Sequence, residues 1–339
     1  MHFAIRYLTE YRYEAPVTDN LNALRVQPAN TRTQRVDDFG VRVDPESRLH
    51  QHLDYFGTTV IEFGISRPHD HLSIDVRARV KTTPPDDPPD LPWADLGQPA
   101  YRAEAGEFLL SDGGEPDDLA LDELVGLMRA ESPLATVQRL VELIPDRFEY
   151  RAGVTYVGST VADLLLAGAG VCQDFAHLAL LLLRRHGIAA RYVSGYLWAP
   201  PNGDESADSA EVETHAWIEA LVPGDPEPIW VPADPTNRTL GGETHVKIGH
   251  GRGYADVELL EPDAAPRAQR LRLLDLRQAQ QVAVERTGGR FAARRRRDLD
   301  VVEPHALAGV PSVRCIFTEA VSSAPAPPRK TPLIGGTSA

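Results

Sequence analysis

The chain has 339 residues, 42% of them hydrophobic, enough for two domains with ordinary cores. Its 35 basic and 49 acidic residues leave a formal net charge of −14, which argues against nucleic acid or an anionic membrane as the principal partner. Two cysteines far apart in sequence make no disulfide framework, and the longest apolar run, LALLLL, is too short to span a bilayer.

The opening MHFAIRYLTEYRYEAP carries charges throughout and lacks an apolar h-region, so no signal peptide and a cytoplasmic location are expected. Within it, Phe3, Ile5, Tyr7, Tyr11 and Tyr13 alternate with Arg6, Glu10 and Arg12, the period of a half-buried strand. HLSIDVRARV repeats the pattern with Leu72, Ile74, Val76, Ala78 and Val80, and FGVRV and TTVIEFGI lie between as shorter β-rich runs. Antiparallel strands joined by Asp, Pro and Gly turns predict a β-sandwich over residues 1–82. KTTPPDDPPDLP then removes amide donors and favours extended structure, so residues 83–117 are expected to be a linker.

Helical spacing follows, first in Leu121, Leu124, Val125 and Met128, then in Leu134, Val137, Val141 and Ile144. Thr160 and Asp163 have the form of a capping box opening a helix through VADLLLA. The next helix, CQDFAHLALLLLRR, is apolar in almost every direction and should be central. AARYVSGYLW, THAWIEALV and PIWVPADP read as strands after it. Residues 118–258 are therefore expected to be an α+β domain, helices first and antiparallel sheet afterwards. Over 259–339 the signal decays: RLRLLDLRQAQQVAVE has the pattern of an amphipathic helix, and SSAPAPPRKTPLIGGTSA has the composition of disorder.

The chemistry centres on Cys172. Gly168-Ala169-Gly170 lets the chain turn sharply into the helix that Cys172 opens, where unpaired amides and the positive end of the macrodipole favour a thiolate. A cysteine nucleophile needs a base, and the base needs an orienting group. His215 stands near the start of one strand, on the face opposite Ala216, Ile218 and Ala220, and Asp234 ends the next strand before a Pro turn. Pairing of the two strands as a hairpin brings them to one end of the sheet, with one ring nitrogen for Asp234 and the other for the sulfur.

GVCQDFAHLALLLLRRHGIAARYVSGYL, THAWIEA and WVPADPTN resemble, in order, the three core motifs of the bacterial transglutaminase-like family, within the papain-like cysteine peptidase and transglutaminase superfamily. The resemblance runs from about residue 135 to 257, where GRGYADV is similar to the family's Gly-Arg-Asp-Tyr-Ala-Asp-Val segment. The β-rich start resembles the small domain that precedes this core in many members. This implies a papain/transglutaminase-like α+β fold, the cysteine helix packed on an antiparallel sheet and preceded by a β-sandwich-like domain. It implies Cys172 as nucleophile, His215 as general base and acid, Asp234 as its orienting residue, a peptide or protein amide as substrate, and no cofactor. Gly253 departs from the pattern, standing where the family has Asp, and beyond Val257 an Arg- and Pro-rich stretch replaces the family's further β segment.

Among the neighbours, Asp174 lies roughly 200° around the helix from Cys172 and suits the helix N-terminus, while His177, about 140° away, suits the core or a cleft wall. Gln173, Tyr196, Trp198 and Trp217 are candidates for the oxyanion site or cleft walls, with the Cys172 backbone N–H the more direct oxyanion donor. His50 with His52 and His69 with His71 have strand spacing that permits a zinc site, but solvent-facing strand positions explain them and no metal is expected. The run RRRR at 294–297 reads as a solvated segment. Hydrolysis of an amide is slightly preferred over transfer to an amine. An arylamine N-acetyltransferase and a non-catalytic binding scaffold are the rival readings.

Overall fold

The computed structural model describes residues 1–110, 119–155, 158–199, 209–212, 214–258, 260–263 and 312–319. The helical run RLRLLDLRQAQQVAVE, the basic run at 294–297 and the Pro-rich tail fall outside them.

The amino-terminal strands are β1 (His2–Val17), β2 (Asn20–Leu24), β3 (Gln34–Asp44), β4 (His50–Leu53), β5 (Thr59–Ile65) and β6 (His69–Thr82). Alternation does what its period requires: Phe3, Ile5 and Tyr7 of β1 and Leu72, Ile74, Val76, Ala78 and Val80 of β6 are buried on one face. The two strands pair antiparallel with Phe3 opposite Val80 and Tyr7 opposite Val76. Leu24, Ile61, Phe63 and Ile65 enter the same core from a second sheet, which makes a sandwich. Three later strands complete it. β10 (Ser209–Val212) and β16 (Ser312–Glu319) extend the first sheet in the order β10-β16-β1-β6-β3, and β15 (Leu260–Asp263) adds to the second as β15-β2-β5-β4. The sandwich thus extends beyond residues 1–82, and part of 259–339 is strand. The physical reason is that residues 1–82 leave sheet edges whose N–H and C=O groups need partners.

The linker is also shorter than 83–117. After the prolines, α1 (Pro99–Ala105) forms between two short 3-10 turns, and Tyr101, Ala105 and Phe108 pack against Ala189 and Leu221. The Tyr101 hydroxyl accepts the Ala189 N–H at 3.0 Å and donates to the Leu221 carbonyl at 3.2 Å, pinning the segment to the core.

The core contains α2 (Leu119–Met128), α3 (Pro133–Arg147), β7 (Glu149–Tyr150), α4 (Val161–Ala167), β8 (Ala169–Gly170) and α5 (Cys172–Arg185). Then come β9 (Ala190–Leu197), β11 (Thr214–Val222), β12 (Ile229–Asp234), β13 (Thr239–Leu240) and β14 (His245–Gly251). Thr160 and Asp163 form the capping box at α4. The antiparallel sheet runs β13-β12-β11-β9-β14, and α5 packs on it through a core that includes Phe175, Ala176 and Leu180 with Ala216, Ile218, Ala220 and Val222. The fold is α+β. No helix among the described residues is long and apolar enough to cross a membrane.

A shared core crosses the junction between sandwich and sheet. Tyr196, Trp198, Val246 and Ile248, at the ends of β9 and β14, join the cluster built around Phe3, Tyr7 and Val76. The Gln34 side chain donates to the Lys247 carbonyl at 2.8 Å and accepts the Lys247 N–H at 2.8 Å, so the junction's backbone groups are satisfied as well.

Candidate active site

Cys172 is the first residue of α5. Asp174, buried at that helix start, accepts the Val171 N–H at 2.8 Å and the Thr155 hydroxyl at 2.6 Å, using its carboxylate to satisfy the helix entrance rather than to meet Cys172. Gly170 makes this possible: a Cβ there would lie 2.7 Å from Asp174 Oδ2 and 2.8 Å from Leu164 Cδ1. Cys172 is half-buried, a free cysteine, and packs against the core under α5.

His215, at the start of β11, lies within the influence of the Cys172 side chain, which helps to raise its pKa. Its Nε2 lies 2.8 Å from Asp234 Oδ2, which leaves Nδ1 for the sulfur. Asp234 has no exposed side-chain surface, and its carboxylate is fully engaged. Oδ1 accepts the backbone N–H groups of Thr236 at 2.9 Å and Asn237 at 3.2 Å, a turn geometry that follows from the Pro235 bend at the end of β12. Oδ2 takes His215 Nε2, Asn237 Nδ2 at 2.7 Å and His245 Nε2 at 3.0 Å.

The electrostatics follow from this wiring. Burial by itself would push the His215 imidazolium towards the neutral form; hydrogen bonds to Asp234 and Cys172, with their charges, outweigh it and raise the pKa to about 9. Burial likewise opposes ionisation of Asp234, but the His215 and His245 hydrogen bonds, the His215 charge and Asn237 hold the carboxyl well below the usual carboxylate range. A sulfur acting on an imidazole that a buried carboxylate holds supplies the parts from which a thiolate–imidazolium pair is made.

Trp217, two residues beyond His215, stacks on that ring with centroids 6.1 Å apart at 24°, and meets the His245 ring edge-on at 5.2 Å. It is 1% exposed, and its Nε1 has no hydrogen-bond partner among the described residues. Trp217 therefore flanks the imidazole from within and is no open cleft wall. Tyr196 and Trp198 are corrected more fully. The Tyr196 hydroxyl donates to the Val26 carbonyl at 3.0 Å and Trp198 packs against Phe3 at 6.2 Å, so both belong to the sandwich junction. Alternation assigns a strand residue to a face, but what covers that face depends on the distant β1 and β2.

Gln173 is half-buried and lines a cavity of about 390 Å³ together with His177, Arg252, Gly253 and Tyr254. His177 also packs on Tyr192, with ring centroids 5.2 Å apart. His50 and His52 stack on the exposed β4, whereas His69 gives its Nδ1 to the Arg67 carbonyl and His71 pairs with Asp70. Among the described residues, no group of three or more His, Cys, Asp or Glu side chains is arranged to hold a metal ion. Asn237 and His245 were not singled out by the sequence; only their position beside Asp234 in the folded sheet gives them away.

Two family models match the chain. The bacterial transglutaminase-like N-terminal region covers residues 3–81, and the transglutaminase-like superfamily covers 124–235. An uncharacterised protein of Mycobacterium tuberculosis H37Rv is 34% identical over 270 residues, 75% of this chain and 85% of the relative. One from Mycobacterium leprae is 33% identical over 256 residues, 75% of this chain and 89% of the relative. A candidate cysteine protease from Cytophaga hutchinsonii, of known structure, is similar with a TM-score of 0.59 and 25% identity over 77% of this chain and 85% of that one.

Proposed function

Because the chain belongs to the transglutaminase-like superfamily, with the bacterial transglutaminase-like N-terminal region ahead of its core, we propose that it is a cysteine-dependent acyl-transfer enzyme acting on peptide or glutamine-type amides. Cys172 is the nucleophile, His215 the general base and acid, and Asp234 the residue that holds His215. The observation that carries the reading is the 2.8 Å bond from His215 to the buried Asp234, with Cys172 acting on the same imidazole.

The sulfur of Cys172, as thiolate, attacks the amide carbonyl, and the oxyanion takes the Cys172 backbone N–H at the first turn of α5. Collapse of the tetrahedral intermediate breaks the C–N bond, with the imidazolium giving its Nδ1 proton to the departing amine. A thioester on Cys172 remains and His215 is neutral. Water, deprotonated by Nδ1, then attacks the thioester; the thiolate leaves and the carboxylic acid is released. An amine in the place of water gives a new amide. Hydrolysis is the preferred outcome, supported by the likeness to the Cytophaga hutchinsonii protein. Gln173 beside the adjoining cavity is the residue we assign to the substrate entrance.

The test offers blocked glutamine peptides and a mixed peptide library to the full chain, with and without hydroxylamine, and follows intact mass and products. The account predicts an acyl adduct on Cys172 and turnover that Cys172→Ala abolishes, with carboxylate formed in preference to hydroxamate when both are possible. Hydroxamate as the main product would assign amine transfer instead. Absence of any Cys172-dependent adduct or product across the library would leave the binding-scaffold reading.

A further inference from the structure

Asp234 Oδ2 receives three donors, from His215, Asn237 and His245, although a carboxylate oxygen has only two in-plane lone pairs. The third donor's protonation is fixed by its own surroundings. His245 Nδ1 lies 3.3 Å from the Gly242 backbone N–H and 3.3 Å from the Thr244 hydroxyl. A backbone N–H can only donate, so Nδ1 must present a lone pair, and the proton of a neutral ring sits on Nε2, pointing at Asp234. The ring is 6% exposed and braced edge-on by Trp217, the same indole that stacks on His215.

We propose that His245 is a positioning residue of the site: an Nε2–H donor that fixes the Asp234 carboxylate and shares the oxygen used by His215, limiting how tightly Asp234 holds the proton on His215. The inference rests on the Cys172–His215–Asp234 reading. Its physical basis is competition: donors crowded on one oxygen weaken one another, so a donor removed is strength returned to those that remain. The titratable side chains that meet in this group are Cys172 from α5, His215 from β11, Asp234 from β12 and His245 from β14; Asn237 and the Thr236 backbone are neutral. With the oxygen less shared, Asp234 pulls harder on the imidazolium, and His215 releases its proton at higher pH. An enzyme that must take that proton back and forth works best when it is held neither too loosely nor too firmly.

The experiment is a histidine titration of the full chain, with ring nitrogens labelled, followed by NMR in wild type, His245→Phe and His245→Gln. In the wild type, His245 is expected to carry its proton on Nε2, with Nδ1 accepting from the Gly242 N–H. His245→Phe is expected to raise the His215 midpoint by roughly one pH unit, and His245→Gln, whose amide can donate from a similar position, to restore it. A wild-type His215 that titrates near 6.5 would defeat the underlying reading of the site. A raised wild-type midpoint that His245→Phe leaves unmoved would defeat this proposal alone. If His245→Phe does not fold, the wild-type ring still decides: a His245 that carries a proton on Nδ1 overturns the proposal.

Discussion

His215 ties the site to pH, and the sign of the effect follows from its environment. Folding raises its pKa from the ordinary 6.5 to about 9, against the opposing pull of burial. The folded chain therefore binds this proton more tightly than the unfolded chain. The stability it contributes is complete below pH 6.5 and is lost as pH climbs through about 9. Its size is on the order of 3 kcal/mol. Asp234→Asn removes the charge that holds the imidazolium, so the urea midpoint of that variant should fall less between pH 6 and 9.5 than the wild type's. Equal falls in the two proteins would deny the coupling. Cys172, His215 and Asp234 were legible in the sequence because each lies in a motif whose order carries chemistry. His245 was not, because its partner is eleven residues away and on another strand.

At the scale of elements, the sheet order β12-β11-β9-β14 sets the arrangement. His215 on β11 faces Gly195 on β9, and Lys247 on β14 faces the same glycine. A Cβ at Gly195 would overlap the Val246 carbonyl and the Trp217 ring, so a glycine here lets the indole lie flat beside His215. Gly195→Ala should destabilise the chain by about 1–3 kcal/mol, as an overpacked position does, and lower Cys172-dependent turnover beyond what the lost stability explains. Turnover assayed well below the variant's melting temperature checks this; unchanged rates would mean the Trp217 stack is dispensable. The helices α3, α4 and α5 and the strands β9, β11 and β12 were readable because 3.6- and 2-residue periods are strong there. β14 was not: HVKIGHG buries Lys247 against Glu219 at 2.6 Å, so its pattern lacks the polar face that marks a half-buried strand.

Over the whole molecule, the sequence placed a β-sandwich before an α+β core, and that order holds. It missed how the parts interlock. Strands near 210, 260 and 315 extend the two sheets of the sandwich, and Tyr196, Trp198, Val246 and Ile248 carry the core's sheet into it. Such pairings are far apart in sequence, as in Tyr7 and Val212 opposite Cys315, and no local period announces them. Prolines at 84–92 mark a real break in regular structure, yet the next helix docks on the core rather than spacing it from the sandwich.

The most direct test of the central claim is the rate of Cys172 alkylation by limiting iodoacetamide from pH 5 to 9, read by intact mass in wild type and His215→Ala. The account predicts rapid labelling of Cys172 on the acid side of neutrality in the wild type, slowed by at least about tenfold when His215 is removed. Labelling that is slow at pH 6 and identical in the two proteins would contradict it, for then no imidazolium serves the sulfur.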